Sequence, residues 1–438
     1  MKIAVIGAGI SGLGAAYALS GEHDVRVFEQ AGRVGGHAHT VDVDYADGRQ
    51  PVDTGFIVYN YSNYPNLTSL FEHLDVPTKW SDMSFGFSLN GGECEYACDN
   101  LDKVFAQRWR MFHPRFVQTF TEILRFTKVA PKDLAAGKME GLTLSEWLEM
   151  RRFSRWCRER FLLPMGGAIW STSLRDILDF PAESFVRFFV NHDLMTGLDP
   201  AQRWRTVDGG SRSYVTRLMA KLGPRVMIDR GAVSVRQDPA QPEVTFADGS
   251  TERFDQVILA MHGPVARELL SNPDDSQTAV LGAFETSTNR VFLHSDTALM
   301  PLRRKVWSSW NFLSNGMEAD ADRPAQVSYW MNRLQGIPEE RPLFISLNPQ
   351  VEPDPEKVHG TYSYDHPLFN RASFAAQGAM DDIQGRGGLW YAGAWLGYGF
   401  HEDGLRSGLR VAGALGARPD WVQDTGTPLV RPMVHAAE

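Results

Sequence analysis

The first twelve residues constrain the fold more than any other part of the chain. Residues 2–6 form a short apolar run that predicts a buried strand, and residues 13–19 follow with a pattern typical of a helix. Between them, Gly7, Gly9 and Gly12 have the spacing of a turn that holds a pyrophosphate at the positive end of a helix. We therefore predict a dinucleotide-binding unit in which Ile10 and Ser11 begin the helix beside the phosphates.

The predicted second strand, residues 25–28, ends on Glu29. A carboxylate about 20 residues beyond the glycines accepts hydrogen bonds from a ribose diol and repels a 2′-phosphate. This residue therefore indicates a dinucleotide that carries an ADP half. Glycines also collect in ordinary turns, but here the strand, the helix and the acidic residue all stand at the expected distances.

Three further stretches carry glycines where the backbone could approach a ligand. One follows Glu29 directly and contains an arginine, whose guanidinium suits phosphate oxygens and which a plain NAD domain does not need. The candidate cofactor-binding residues in these stretches are Gln30, Arg33, Gly35, Gly36, His37, Thr54, Gly55, Phe56, Gly393, Ala394, Phe400, Glu402, Gly404 and Leu405. Sites so far apart in the sequence indicate one long ligand.

These stretches resemble the FAD-dependent amine oxidase and phytoene desaturase superfamily over residues 1–60 and 205–415. The resemblance implies FAD as the cofactor, with residues 399–408 beside the flavin and the backbone of Val233 at the adenine. It also implies an α/β fold, in which a Rossmann-like FAD-binding domain is interleaved with a substrate domain of mixed sheet plus helices. We place the FAD-binding domain at 1–60, 205–280 and 355–418, the substrate domain at 61–204 and 281–354, and a tail at 419–438.

More narrowly, residues 35–40, 53–60 and 397–404 are similar to a bacterial subgroup of NAD/FAD-binding proteins. Some of its members are linked to modifying acyl chains of membrane lipids, including desaturation of methylated fatty acyl groups. The resemblance thus implies an FAD-dependent oxidoreductase, of oxidase or desaturase type, that removes hydride from a C–H bond of a hydrophobic substrate. The expected substrate is an acyl chain of a membrane lipid.

Two positions depart from the superfamily pattern. Ala394 stands where many members have an acidic residue that contacts the ribityl chain or a phosphate. Amine oxidases commonly have a lysine, bridged by water to flavin N5, on a strand near residues 289–294, where this chain offers Asn289 or Arg290. Amine oxidation is therefore the alternative. A non-redox flavin-dependent isomerase or mutase and a non-catalytic FAD-bound partner protein also remain open.

A desaturation also removes a second proton, which requires a base if the proton leaves as such. His401, beside the predicted flavin turn, is the first catalytic candidate, and Tyr59 and Glu402 are the others. Each has a structural alternative, since these side chains could instead bind the cofactor, wall the pocket or cap a helix. His37 and His39 lack the carboxylate or cysteine neighbours of a metal site, so we predict no metal.

Composition restricts the remaining possibilities. The chain has 438 residues, 43% of them hydrophobic, which is enough for two interleaved domains. A net charge of -9 argues against a nucleic-acid partner. Three cysteines form no even disulfide framework, which favours a cytoplasmic protein with reduced thiols. No signal peptide is expected before the first strand, and no apolar stretch reaches the roughly 18 residues of a membrane span. Oligomeric state stays open.

Residues 101–160 are an exception to this acidic balance. They contain 13 Lys plus Arg against 7 Asp plus Glu, a surplus of 6. Large apolar residues recur among them at helical spacing: Phe105, Trp109, Phe112, Phe116, Phe120 and Leu124. One interpretation is the core face of a helical substrate domain. The other, which we state as an expectation, is peripheral contact with an anionic membrane on its inner face.

The remaining substrate-domain predictions are strands. Residues 85–89 and 92–96 flank Asn90-Gly91, a strong hairpin signal. Residues 290–294, 306–312 and 326–331 alternate aromatic and polar residues and predict a sheet that lines a cavity. The candidate walls of that cavity are Trp307, Trp310, Tyr329 and Trp330. In the FAD-binding domain we expect a hairpin over 233–246, turning at 247–249.

Overall fold

The computed structural model describes residues 1–191, 204–318 and 320–423. In chain order the strands are β1 (Lys2–Ile6), β2 (Asp24–Phe28), β3 (Thr40–Tyr45), β4 (Gly48–Asp53), β5 (Val58–Asn60), β6 (Thr78–Trp80), β7 (Phe85–Leu89), β8 (Cys94–Ala97), β9 (Trp204–Val207), β10 (Val226–Met227), β11 (Ala232–Arg236), β12 (Glu243–Phe246), β13 (Thr251–Arg253), β14 (Gln256–Leu259), β15 (Glu285–His294), β16 (Trp310–Ser314), β17 (Gln326–Trp330), β18 (Phe344–Leu347), β19 (Val358–Leu368) and β20 (Leu389–Tyr391).

The α-helices are α1 (Ile10–Leu19), α2 (Pro65–His73), α3 (Leu101–Val104), α4 (Pro114–Ala135), α5 (Leu144–Met150), α6 (Arg155–Cys157), α7 (Leu163–Trp170), α8 (Leu174–Asp179), α9 (Ala182–Asn191), α10 (Arg212–Leu222), α11 (Gly263–Leu269), α12 (Asp275–Gly282), α13 (Met331–Leu334), α14 (Arg371–Gly378) and α15 (His401–Ala414). Among the helices that the structure describes, none has both the length and the hydropathy that a membrane crossing requires.

A five-stranded parallel sheet has the order β10, β2, β1, β14, β20. Its central strand β1 is covered on both faces, since Ile3, Ala4 and Val5 have no exposed surface. The predicted strand, turn, helix and second strand are all confirmed at the expected positions. We call this sheet and the helices packed on it the parallel-sheet half.

A second sheet of seven strands has the order β19, β15, β18, β17, β16, β7, β8. With helices α3 to α9 it forms what we call the mixed-sheet half, so that the α/β fold class is confirmed. The hairpin of β7 and β8 is confirmed as well, and Asn90 and Gly91 take the positive φ values of 51° and 57° that a tight hairpin turn favours. The two sheets were the main features of the predicted architecture.

Several predicted elements lie at different positions. Residues 304–306 form a 3-10 turn, and the strand predicted over 306–312 begins only at Trp310. The turn at 247–249 joins β12 to β13, whereas residues 237–242, which include Pro239 and Pro242, connect β11 to β12. The sequence pattern also missed β19, which pairs with β15 and extends the mixed sheet beyond residue 354, the expected end of the substrate domain.

Two expected segments are described only in part. Residues 192–203 of the expected substrate domain and residues 424–438 of the expected tail lie outside the described residues. The first part of that tail packs on the parallel-sheet half. Trp421 is buried, stacks on Tyr17 with 5.9 Å between ring centroids, and accepts a 2.6 Å hydrogen bond from the Ser69 hydroxyl at its carbonyl.

Helices α1 and α15, from opposite ends of the chain, pack directly against each other through glycines. A Cβ atom at Gly408 would lie well inside 3.0 Å of the Ser11 carbonyl oxygen, a distance that real Cβ atoms do not show. A Cβ at Gly404 would lie 3.0 Å from Ile10 Cγ2 and Ser11 Oγ. The two helices therefore approach closely because their facing positions lack side chains.

A buried carboxylate joins the two halves. Asp53, at the end of β4, accepts hydrogen bonds from the hydroxyls of Thr40 (2.6 Å) and Ser211 (2.7 Å) and from Gln335 Nε2 (2.9 Å). Ser211 precedes α10 in the parallel-sheet half, whereas Gln335 follows α13 in the mixed-sheet half. Burial raises the pKa of Asp53 to about 6, and the donated hydrogen bonds oppose that rise.

Replacement of Gly408 by alanine should destabilise the protein. The added methyl group forces α15 away from α1, and such overpacking costs about 1–3 kcal/mol of unfolding free energy. The matched control is Gly413→Ala in the same helix, where the new Cβ would be 3.8 Å from its nearest neighbour, Arg418 Nε. Urea unfolding should show a lower midpoint for Gly408→Ala and an unchanged or higher one for Gly413→Ala. Equal midpoints for the two variants would contradict the packing argument.

Candidate active site

A cavity of about 660 Å³ lies between the parallel-sheet half and the mixed-sheet half. The carboxyl ends of β1, β2, β14 and β20 meet one end of it, which is where parallel sheets bind their ligands. Of the predicted cofactor-binding residues, the following line it: Gly7, Gly9, Ile10, Ser11, Glu29, Gln30, Arg33, Gly36, His37, Thr54, Gly55, Phe56, Gly393, Ala394 and Phe400. Stretches more than 300 residues apart thus converge, as a single long ligand requires.

The first glycine turn leaves the helix end of α1 facing this cavity. Gly9 is the N-cap, and among the described residues no side chain caps the helix there. The Glu29 carboxylate accepts hydrogen bonds from the backbone N–H groups of Ala8 (2.8 Å) and Ala31 (2.9 Å), which fixes it at the cavity edge. Uncapped N–H groups and the helix dipole favour an anion, and the fixed carboxylate suits a diol.

The second glycine turn lies against the first. The Arg33 guanidinium donates a 2.9 Å hydrogen bond to the Gly36 carbonyl, and a Cβ atom at Gly36 would lie 3.1 Å from the Cα of Gly9. Gly35 lies just outside the cavity lining, in the turn itself, at φ 106°. The two turns therefore form one continuous cradle of backbone.

Three histidines form a cluster at this end of the cavity. The ring centroid of His37 lies 5.5 Å from that of His366 and 5.9 Å from that of His262. Burial, followed by the neighbouring histidines, lowers the pKa of His37 to about 3, and burial lowers that of His366 to about 4. Among the described residues, His37 Nε2 and His262 Nδ1 are buried without a hydrogen-bond partner. Such atoms are available to a bound ligand.

Sequence reasoning missed two members of this cluster. His262 follows β14 at the carboxyl edge of the parallel sheet, and the apolar run of residues 257–260 just before it is the signal that could have indicated this position. His366 lies on β19, which was not predicted, so no signal indicated it. No three His, Cys, Asp or Glu side chains in the described part of the chain are placed to hold a metal ion.

The C-terminal turn contains the first catalytic candidate, His401, and the residues that hold it. His401 lines the cavity, stacks on Phe56 with 3.9 Å between ring centroids, and shares a 2.7 Å hydrogen bond between its Nε2 and the Tyr214 hydroxyl. Burial lowers the pKa of His401 to about 3, so the ring is neutral at physiological pH. Asp403 shapes the turn, since its carboxylate accepts hydrogen bonds from the backbone of Tyr398 and Phe400.

The other two catalytic candidates lie outside the cavity lining. Tyr59 is buried in the parallel-sheet half and lines a separate pocket of about 340 Å³. The Glu402 carboxylate accepts hydrogen bonds from Asn66 Nδ2 (2.7 Å) and from the backbone N–H groups of Asn66 (3.1 Å) and Leu67 (2.9 Å). It therefore occupies the N-terminus of α2, and burial raises its pKa to about 7. Glu402 therefore caps a helix, which was the structural alternative to a catalytic role.

Four more of the predicted cofactor residues do not line the cavity themselves. Gly12 packs against the first turn, and Gly404 and Leu405 pack against α1. The side chain of Val233 is 54% exposed, while its neighbours Gly231 and Ala232 reach the cavity. These residues hold or adjoin the surfaces that face the ligand.

The opposite end of the cavity is apolar. Its lining comes from α7, α9, the mixed sheet and the loops beside them, and its predicted walls Trp310 and Tyr329 are present. The other apolar or aromatic side chains of this end are Met83, Phe85, Met165, Ala168, Ile169, Trp170, Phe188, Val291, Ile345, Leu347, Phe369 and Tyr398, and the uncharged Ser84 and Ser171 also line it. Trp307 and Trp330 instead pack on each other in a small separate core.

The model of the flavin-containing amine oxidoreductase family matches residues 10–416. The chain belongs to this family. It is therefore an FAD-dependent oxidoreductase. The end of the cavity that meets the parallel sheet, which we call the polar end, fits FAD: it offers the helix end, the Glu29 carboxylate and the unpartnered histidine nitrogens. No curated protein matches the sequence.

Solved structures of similar fold belong to several enzymes. Wild-type putrescine oxidase bound to putrescine is 18% identical, with a TM-score of 0.69 over 95% of this chain and 99% of that one. Cyclohexylamine oxidase from Brevibacterium oxydans IH-35A is 16% identical, with a TM-score of 0.67 over 94% and 98%. A fatty acid isomerase from P. acnes, which produces CLA, is 16% identical, with a TM-score of 0.65 over 93% and 96%. At these identities the likeness shows the fold.

Replacement of Glu29 by alanine should weaken FAD binding. Hydrogen bonds to a charged group contribute about 1.5–3 kcal/mol, so the dissociation constant should rise about 10- to 100-fold. Glu22→Ala, an exposed change in the loop before β2, is the control and should leave FAD affinity unchanged. Titration of the deflavinated protein with FAD, followed by flavin fluorescence, gives both constants. An unaltered constant for Glu29→Ala would remove this residue from the cofactor site.

Proposed function

We propose that this protein desaturates a hydrophobic acyl chain, most specifically an acyl chain of a membrane lipid such as a methylated fatty acyl group. FAD would accept the hydride from one C–H bond, and a proton would leave from the adjacent carbon. The observation that carries the proposal is the apolar end of the cavity, where no lining side chain among the described residues bears a charge. Such a wall favours a hydrocarbon chain over a charged ligand.

The charged side chains of the lining support this assignment by their position. Glu29 and Arg33 belong to the glycine turns, and Asp365 lies on β19 next to His366. All three are therefore at the polar end. A cationic amine in the apolar end would be desolvated without a counter-charge, which is costly.

The lysine position of amine oxidases also argues for a different substrate. Asn289 Nδ2 contacts His366 Nδ1 at 2.8 Å, and Asn289 Oδ1 accepts a hydrogen bond of 2.6 Å from Asn348. Arg290 points away and pairs with Glu352 at 2.8 Å. Among the described residues no lysine lines the cavity. Amine oxidation, the activity named by two of the similar structures, stays the alternative, and isomerisation of an acyl chain would use the same apolar end.

His401 is the proton acceptor that we propose. It is the one catalytic candidate that reaches the cavity, and Tyr214 holds its ring through the Nε2 hydrogen bond. The buried Tyr214 hydroxyl keeps its proton, because desolvation raises its pKa well above the ordinary value. When the His401 Nε2–H donates to the Tyr214 oxygen, the other ring nitrogen, Nδ1, is left as the proton acceptor, without a charged side chain beside the substrate.

A change at Ile169 distinguishes an acyl chain from an amine. Phospholipid extract should bleach the visible flavin band of the wild-type protein under anaerobic conditions. Ile169→Asp places a carboxylate in the apolar end, so bleaching should slow at least tenfold, whereas Ile169→Leu should keep the wild-type rate. Flavin content should be the same in all three proteins.

Three other outcomes of that experiment would contradict the proposed desaturation. Faster bleaching of the Ile169→Asp variant by an alkyl amine would contradict the acyl proposal and favour an amine oxidase. A rearranged acyl product without lasting bleaching would contradict desaturation and favour an isomerase. Flavin that no extract bleaches or transforms would contradict both.

Replacement of His401 by alanine should slow single-turnover flavin reduction about 10-fold, less than a base with a pKa near the working pH would give, because a ring with a pKa near 3 is a weak base. Because the folded pKa lies near 3, the imidazole is already neutral above pH 4, so the wild-type rate should show no titration step at the ordinary histidine pKa of about 6.5. Stopped-flow absorbance between pH 5 and 8 measures both quantities. Tyr214→Phe, which keeps the ring but loses the hydroxyl, should have an intermediate rate. An unchanged rate for His401→Ala at full flavin content would rule out the base.

A further inference from the structure

The surface of α4 and of the turn before it exposes large apolar side chains that the core does not use. Phe112 is 85% exposed and Trp109 56%, and Met111, Val117 and Leu124 are exposed as well. We call these five residues and the basic side chains around them the α4 face. The predicted aromatic stripe therefore divides, because Phe116 is buried while Phe105 and Phe120 pack on the core only in part.

The α4 face is positively charged on an acidic protein. Residues 108–132 contain six Lys or Arg and one acidic residue, whereas the chain as a whole carries -9. Of the six, Arg110 is buried and Arg108 pairs with Asp102, which leaves four basic side chains on this face. The acidic residue, Glu122, is buried and accepts hydrogen bonds from Ser154. Among the described residues, Arg115, Lys128 and Lys132 form no ion pair with a carboxylate, so their charge is available to a partner.

The other side of α4 is anchored in the half that holds the apolar end of the cavity. Phe116 and Phe126 are buried in the same core cluster as Phe85 and Met165, which line the cavity. Phe126 also contacts Phe189 of α9, whose neighbour Phe188 lines the cavity. Val117 and Leu124 thus lie on a helix whose other side is buried, and Trp109, Met111 and Phe112 lie in the short turn that leads into it.

From this combination we infer that the α4 face docks on an anionic lipid bilayer. Exposed aromatic and aliphatic side chains enter the interface between headgroups and acyl chains, while the basic side chains contact lipid phosphates. A second copy of the chain fits the same surface poorly. A twofold contact would set one basic face against another, and the like charges would repel.

The test uses flotation of the flavin-loaded protein with vesicles, which needs no turnover and so is independent of the proposed reaction. The protein should float with vesicles of phosphatidylglycerol and phosphatidylcholine but not with phosphatidylcholine alone, and added salt should reduce the floating fraction. Each basic side chain near an anionic membrane contributes about fivefold to partitioning. Arg115→Glu with Lys128→Glu should therefore lower the partition coefficient more than tenfold.

Matched variants separate this surface from general effects of charge and hydropathy. Lys221→Glu with Arg225→Glu makes the same change in net charge on exposed residues of the parallel-sheet half and should keep vesicle binding. Phe112→Ser with Leu124→Ser should lower partitioning. Ile228→Ser with Val351→Ser, at residues 45% and 70% exposed elsewhere, should not. Retained flavin absorbance shows that each variant is folded.

Three results would overturn the inference. The first is wild-type protein that stays with neither kind of vesicle, and the second is equal flotation with neutral and anionic lipid. The third is a concentration-dependent dimer in light scattering that Phe112→Ser with Leu124→Ser abolishes, since the face would then bind a second copy.

Discussion

The contact between α1 and α15 determines where every other part of the site lies. α1 begins at the first glycine turn, and α15 begins at His401, so packing one helix on the other sets the two ligand-binding turns side by side. The distance is set by backbone atoms, because Gly404 and Gly408 present no side chain to Ser11. A contact of this kind has little freedom to adjust, since a carbonyl oxygen cannot move aside as a flexible side chain can.

Buried carboxylates extend that arrangement to the rest of the molecule. Asp53 connects α10 to the segment after α13, Glu402 connects α15 to α2, and Asp403 shapes the turn that precedes α15. Burial raises the pKa of all three, and each is satisfied by several donated hydrogen bonds. In a chain that leaves and re-enters the parallel-sheet half, such contacts fix the relative position of segments that are distant in sequence.

The polar end of the site was predictable from sequence because its chemistry depends on local backbone. Gly7, Gly9 and Glu29 act through a turn and a strand end that neighbouring residues specify, so spacing alone located them. The mixed sheet was harder to predict. β19 alternates His366, Tyr364 and Tyr362 with polar residues, and its place beside β15 depends on pairing across about 75 residues, which no local pattern contains. Tyr59 shows the same limit, since its neighbours Ile57 and Val58 line the cavity while its own ring points into a different pocket.

The two ends of the cavity also differ in what selects their residues. At the polar end, a ligand with fixed phosphates and a ribose requires particular backbone geometry, which the glycine turns and the helix end supply here. At the apolar end, a flexible hydrocarbon requires only volume and the absence of charge, which many side chains provide equally well. Family membership consequently identifies the cofactor more sharply than the substrate. The substrate has to be argued from the lining itself, where the lack of charge around Ile169 and the hydrogen-bonded Asn289 carry more weight than overall likeness of fold.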